Sequence, residues 1–399
     1  MVVECDKQLK TMKILFTIIN GDFAAGGGSN VALKNLMRYL FLKNDIQMHV
    51  VFAKGTEGSF SKWMEENGVT YDVIDGVKYY FIRPIHSLKD VIHYINDLWY
   101  ILKNTHKAVR ATRRIIRREK PDIVHVNSSV FYYGYKAARK EHVPILWHIR
   151  EYVKEGLNKN FIPFRAVYLK YMKHGYTVSI TSEISSYYDL KREEKDFVVF
   201  DGVMPMKETY YTPDKDKYFL YVGKLVPEKG VEELIKGYCL YAKDNKDIDL
   251  WLAGICQNYY QEYLQKLINS FDVSSDRVKF LGFRSDRYNL MQKAYALVVP
   301  SFAEAFGFIT VEAIMNGCLV IGHNTTGTKF IMQMTNDCEL PYMTVEEMAD
   351  HMRMLSIQGP IVYKGRVLTA QKIAQENFSL ERNGEEIYKI YKTINNTHR

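Results

Sequence analysis

Two charged segments in the second half of the sequence carry residue types suited to a phosphorylated, hydroxyl-rich ligand. The first is Gly223-Lys224-Leu225-Val226-Pro227-Glu228-Lys229-Gly230, with two lysines five apart after an apolar run. In a turn between strand and helix their ammonium groups can converge on one diphosphate, and the helix N-terminus adds a favourable dipole. The second is Glu304-Ala305-Phe306-Gly307-Phe308-Ile309-Thr310-Val311-Glu312. Its glutamates stand eight apart, slightly more than two helical turns, so a helix starting near Phe308 turns both towards one crevice. Each carboxylate can accept the two hydroxyl hydrogen bonds of a ribose or hexose diol. Gly307 at that N-terminus permits close backbone approach. The plainer readings are two solvated lysines and a Glu304 that only caps its helix.

A third segment, Asn20-Gly21-Asp22-Phe23-Ala24-Ala25-Gly26-Gly27-Gly28-Ser29, reads as a glycine-rich turn leading into a helix that Ser29 can cap. Glycines there let N–H groups approach an anion, or simply make a flexible loop. The spacing is not GxGxxG, and Lys54 stands where a dinucleotide site wants an acid. A nicotinamide site is therefore not expected.

The elements that must position these residues alternate short apolar runs with amphipathic stretches. KILFTII (13–19), MHVVFA (48–53), DIVHVN (122–127), PILWHI (144–149), TVSIT (177–181) and FVVF (197–200) read as buried parallel strands. Segments 29–43, 88–119 and 131–141 read as helices between them. The pattern restarts with YFLYVG (218–223), DLWLAG (249–254), RVKFLG (277–282), YALVVP (295–300) and CLVIG (318–322). Two such series predict an α/β chain of two Rossmann-like, doubly wound domains, joined at about 203–216. Ligands of such sheets bind beyond the carboxyl ends of the strands, where all three segments fall. The expected division is a disordered leader 1–12, domains 13–205 and 206–379, and a terminal helix 380–399.

Taken together, the motifs resemble those of the retaining GT-B glycosyltransferases of family 4 (glycosyl transferases group 1). The E-x7-E signature stands as Glu304 and Glu312, and the Gly-Arg-Leu-x-x-Glu-Lys-Gly pattern as GKLVPEKG, with Lys224 in place of arginine. That change keeps the charge but loses the bidentate fork. The resemblance implies two domains facing a central cleft, with helix 380–397 crossing back to the first. It assigns Lys224 and Lys229 to the leaving diphosphate, Glu312 to the ribose hydroxyls and Glu304 to the transferred sugar. It places the Phe306, Gly307 and Phe308 backbone beside Glu304, Gly282 and Phe283 by the nucleobase, and Gly223 in the phosphate turn. In the first domain, Gly27 and Gly28, within a Gly26–Gly28 loop, would close over the diphosphate, and His148 would lie near the donor sugar. Lys329 departs from the glutamate usual in its loop. The implied reaction needs neither metal nor cofactor and relies on electrostatics and positioning. Asp214-Lys215-Asp216 and Asp247-Ile248-Asp249 lack the strand-end context of a metal-binding Asp-x-Asp and read as solvated surface.

The expected activity is transfer of a hexose from a UDP- or GDP-linked sugar to a glycan or lipid-linked acceptor, in bacterial surface polysaccharide synthesis. A sugar-nucleotide epimerase of the same architecture and a non-catalytic anion-binding scaffold are the alternatives. Of 399 residues 47% are hydrophobic and 25% charged, which excludes a disordered or fibrous chain. The net charge of +8 fits an anionic partner. Five scattered cysteines suggest reduced thiols and a cytosolic setting. Lys103–Lys120 holds eight basic residues and one acid. Its Lys107, Arg110, Arg114 and Arg117 share a helical face that could dock peripherally on anionic lipid, the inner face of the cytoplasmic membrane being the expected surface, or simply be solvated. Nucleic acid is not an expected partner.

Overall fold

The computed structural model describes residues 11–78, 81–82, 87–153, 160–162, 164–304, 306–336 and 338–398. Residues 1–10 of the expected leader lie outside them. The chain divides into two units, Met1–Gly202 with Leu380–Arg399, and Val203–Ser379. Val203 belongs to the second because its N–H bonds the Phe378 carbonyl at 2.9 Å.

The first unit runs β1 (Met12–Thr17), α1 (Phe23–Leu40), β2 (Ile46–Ala53), α2 (Ser59–Glu66), β3 (Thr70–Ile74), β4 (Phe81–Ile82) and α3 (Leu88–Glu119). It continues with β5 (Ile123–Val126), α4 (Tyr133–Lys140), β6 (Ile145–Ile149), β7 (Asn160–Phe161), α5 (Arg165–Met172), β8 (Tyr176–Ser179), α6 (Ser182–Tyr187) and β9 (Asp196–Val198). Among the described residues its main sheet is parallel in the order β3-β2-β1-β5-β6-β8-β9, Ile14 lying opposite Met48 and Ile123. The central strands bury both faces, as their continuous apolar runs require. β1 begins at Met12, which is buried and paired with Ile46, so the strand starts within the stretch read as leader.

The second unit holds β10 (Tyr218–Val222), α7 (Val231–Ala242), β11 (Asp249–Ala253), α8 (Asn258–Asn269), β12 (Val278–Gly282), α9 (Arg287–Lys293) and β13 (Ala296–Val299). It ends with α10 (Phe308–Met315), β14 (Val320–His323), α11 (Thr326–Met334), β15 (Leu340–Tyr342), α12 (Val345–Gln358) and α13 (Lys364–Phe378). Its sheet order is β12-β11-β10-β13-β14-β15. The last helix, α14 (Leu380–His398), returns to the first unit. There Ile387, Ile390, Tyr391 and Ile394 share one core with Leu33, Leu36 and Leu40 of α1.

Four strands escape sequence reading: β4 and β7, two residues each and paired antiparallel with one another, and the sheet edges β3 and β15. β3 is an edge strand whose residues are mostly half-buried, and β15 is three residues long with Pro341 at its centre. Neither offers a continuous apolar run. No helix among the described residues is long and apolar enough to cross a membrane. The expected Gly26–Gly28 loop is corrected: these glycines, Gly27 and Gly28 included, lie in the first turns of α1. The helix starts early because Asp22, its N-cap, is anchored from outside. Ser59 donates to the Asp22 carboxylate at 2.6 Å, and the Asn30 amide reaches back to the Asp22 carbonyl at 2.9 Å.

Candidate functional site

In the second unit, β10 pairs with β11 on one side and β13 on the other. That is the point where the strand order reverses, and ligands of doubly wound sheets bind beyond it. The turn after β10 is 223–230, and the turn after β13 is 301–307, so the fold brings GKLVPEKG and EAFGFITVE side by side. Gly230 closes the first turn in the left-handed conformation (φ 69°), and a Cβ there would stand 2.2 Å from the Pro300 carbonyl oxygen. The phosphate-type turn thus rests directly on the end of β13.

Lys229 Nζ meets Glu304 Oε1 at 2.5 Å, with both side chains partly open to solvent. The Glu304 backbone is held in turn by the first turn of α11. Its N–H donates to Thr326 Oγ1 at 3.0 Å, and its carbonyl accepts from Gly327 N–H at 2.8 Å. Thr326 itself has φ 45°, a strained value for a β-branched residue. Gly307 (φ 91°) is the N-cap of α10, which starts at Phe308 as the spacing predicts. Phe306 is buried, its ring 5.6 Å from that of Phe308 and 5.7 Å from that of Phe378. Lys224 is exposed on the same turn as Lys229, and Gly223 donates its N–H to Ala253 at 3.0 Å.

Glu312 lies one side of α10 away from solvent, only 4% exposed. Arg287 grips it with Nη2–Oε1 at 2.8 Å and Nε–Oε2 at 3.2 Å, and the Tyr288 hydroxyl donates to Oε1 at 3.2 Å. Burial and then the Glu312 charge push the Tyr288 phenol up. Arg287 was not legible as a site residue: it opens α9, far from Glu312 in sequence. Gly282 ends β12, the outer strand, two strands from β10, and the exposed Phe283 follows it. Lys329 is exposed on α11.

In the first unit the expected donor-side residue is His148. It sits inside β6, opposite Val178, and is wholly buried. Burial and then the Arg150 charge hold its ring well below the usual histidine range, so it is neutral, with Nδ1 3.1 Å from Arg150 Nη2. One residue before the end of β6, His148 packs beside the Arg150–Asp201 pair, with Nε2 3.6 Å from Asp201 Oδ1. The residues beyond β6 are Arg150 and Glu151. Arg150 holds Asp201 through Nε–Oδ2 at 2.8 Å and Nη2–Oδ1 at 3.0 Å, and donates to Asn127 Oδ1 at 2.8 Å. Glu151 accepts from the Ser128 hydroxyl at 2.6 Å and from the Ser129 hydroxyl and N–H at 2.7 and 3.0 Å. The signal for both was present as a charged pair directly after an apolar run. Beyond β1, β2 and β3 lies a cavity of about 420 Å³ lined by Ile19, Asn20, Asp22, Thr56, Glu57 and Lys78.

One group among the described residues has metal-ligating types within reach: His49, Asp72 and Glu119. Arg118 already pairs with Asp72, and Lys13 with Glu119, so the cluster works as a charge network. Asp214-Lys215-Asp216 contains a lysine spent on the Gln292 and Gly317 carbonyls, and Asp249 pairs with Lys279 at the start of β11. Neither tripeptide stands at a strand's carboxyl end.

Residues 206–356 match the family model of glycosyl transferases group 1. The second unit is a group 1 glycosyltransferase domain. Alpha-D-kanosaminyltransferase from Streptomyces kanamyceticus is 27% identical over 192 residues, 47% of this chain and 48% of that protein. O-antigen chain mannosyltransferase RfbU of Salmonella typhimurium is 31% identical over 158 residues, 38% of this chain and 42% of that protein. The matched stretch thus spans less than half of each of these two relatives. In fold, the chain matches Anabaena HepE, solved in complex with UDP and glucose, at TM-score 0.71 and 18% identity, covering 96% of this chain and 100% of that one. The fold class is that of the GT-B glycosyltransferases, two parallel-sheet Rossmann-like units, and the group 1 domain supplies the second of them.

Proposed function

We propose that this chain is a retaining, metal-independent hexosyltransferase of family 4, taking sugar from a UDP- or GDP-linked donor. The observation that carries the reading is the Lys229–Glu304 pair at the switch point of the group 1 domain. An arriving diphosphate competes with Glu304 for Lys229, with Lys224 on the same turn as a second cation. Glu304, released, becomes an acceptor for sugar hydroxyls. Glu312, fixed by Arg287 and Tyr288, offers a rigid carboxylate edge to the ribose. The lysine charges stabilise the diphosphate as the glycosidic bond breaks, the task a metal ion serves elsewhere. No dedicated base is required: the departing phosphate oxygen takes the acceptor proton.

The acceptor is a glycan or lipid-linked glycan of surface polysaccharide synthesis, in keeping with the similarity to an O-antigen chain mannosyltransferase. Its candidate place is the cavity of the first unit, where Asn20, Asp22, Glu57 and Lys78 offer donors and acceptors to hydroxyl groups. The test is release of nucleoside diphosphate from UDP-, GDP- and ADP-sugars with glycan and lipid-linked acceptors, with and without chelator, followed by the product's anomeric configuration. Acceptor-dependent release with retained configuration supports the reading. An isomerised donor without acceptor, or no release from any donor, would overturn it.

A further inference from the structure

The second half of α3 is anchored and the first half is not. Ile101, Thr105, Ala108, Val109, Thr112, Ile115 and Ile116 are the buried residues of this 32-residue helix, so nothing before Ile101 is buried. Yet Leu88, Ile92, Ile95, Trp99 and Leu102 recur at spacings of four and three, and each is between 48% and 88% exposed. At about 100° per residue they fall within an arc of roughly 80°, along about 21 Å of helix. An apolar stripe of this kind is the face a helix ordinarily buries.

The same outward side continues as a cationic face. Lys103, Lys107, Arg110 and Arg114 follow the stripe within roughly the next quarter-turn, opposite the buried residues. Lys107, Arg110 and Arg114 are exposed, and among the described residues no ion pair engages them. Arg117, counted with them from sequence, is shared with Glu141 at 2.8 Å. The acids of the first half, Asp90 and Asp97, lie on the other side of the helix, Asp90 held by the Ser87 cap. Trp99, with the Lys103 ammonium 4.6 Å from its ring, has the apolar body and polar edge that favour a lipid headgroup region.

We propose that α3 docks on an anionic bilayer surface, its Leu88–Leu102 stripe entering the headgroup boundary while Lys107, Arg110 and Arg114 bind the headgroups. A second copy of the chain is the poorer occupant, because each copy carries +8 and brings the same cations to the contact. The docking deepens the lipid-linked acceptor reading, on which it rests only for placing that acceptor at the membrane. It is not purely electrostatic: the apolar stripe adds a component that salt does not screen.

The experiment uses the full chain with vesicles of phosphatidylcholine containing 30% phosphatidylglycerol, and with phosphatidylcholine alone, without donor or acceptor. The expected results are co-sedimentation with the anionic vesicles and a blue-shifted Trp99 emission that Trp99→Phe abolishes. Replacing Lys107, Arg110 and Arg114 by Gln should weaken binding on the order of a hundredfold, about fivefold per charge. Ile92→Gln with Ile95→Gln should remove the blue shift and the binding that survives high salt. No binding at low salt, or unchanged binding by the Ile92→Gln/Ile95→Gln variant, would overturn the proposal. So would a dimer in ultracentrifugation that this variant abolishes, since the stripe would then be a self-association surface. Transfer to a soluble acceptor fragment is read separately, so loss of either result leaves the other interpretable.

Discussion

Replacing Glu304 by Gln should tighten binding of the free nucleoside diphosphate while slowing turnover. The reason is the contact at 2.5 Å between Lys229 Nζ and Glu304 Oε1, whose side chains are 39% and 19% exposed. A partly solvated pair of this kind contributes about 0.4–1 kcal/mol, well below the Coulomb value, because water screens it. In the free protein Glu304 holds the ammonium that the diphosphate needs, and binding must break that pair. Glu304→Gln removes the competitor, so affinity should rise about two- to fivefold at about 1.4 kcal/mol per tenfold. Turnover should fall about a hundredfold, since the carboxylate for the sugar side is gone. Lys229→Ala acts in the opposite direction. It deletes a charge-assisted contact of about 1.5–3 kcal/mol and leaves the Glu304 charge beside the anion, so affinity should drop between about 10- and 100-fold. Calorimetry with the diphosphate alone, beside a turnover assay, reads both variants. Unchanged affinity in Lys229→Ala would refute the phosphate site on the 223–230 turn. Weaker binding in Glu304→Gln would refute the competition argument itself.

Arg287→Met should destabilise the fold by about 2 kcal/mol in urea denaturation, below the fully buried range because a third of Arg287 stays solvated. Adding Glu312→Gln should recover part of that loss; simple additivity would show that the two do not act as a pair. Gly230→Ala places a side chain in a left-handed turn and 2.2 Å from the Pro300 carbonyl, so it should lower the melting temperature and abolish diphosphate binding. A melt like wild type would show that the turn can shift at little cost. His125 and His148 are held well below the usual histidine range by burial and then by the Arg150 charge. Below about pH 6.5 the unfolded chain therefore binds more protons than the native one, and stability, untouched above that pH, should fall as pH drops, by about 1.4 kcal/mol per unit for each histidine. His148→Asn should shed one such proton from the slope of unfolding free energy between pH 6.5 and 5; parallel slopes would count against a neutral buried His148.

Local features of this protein were readable without the fold. Apolar runs marked the interior strands because parallel strands covered on both faces leave little room for polar residues. The limits of α3, 88–119, and the start of α10 at Phe308 follow from periodicity and a helix-opening glycine. Edge strands β3 and β15 were silent because their residues are half-buried or too few. The chemistry of GKLVPEKG and EAFGFITVE was legible as residue types, but their meeting was not. β10 and β13 become neighbours through the order of crossovers, which no local pattern encodes. Tertiary structure likewise set Arg150 and Glu151 beside His148, joined to Asp201 and to Ser128 and Ser129. It brought Arg287 to Glu312 and left the α3 stripe exposed. Spacing along the chain tells which side chains share a face; only packing decides what that face meets.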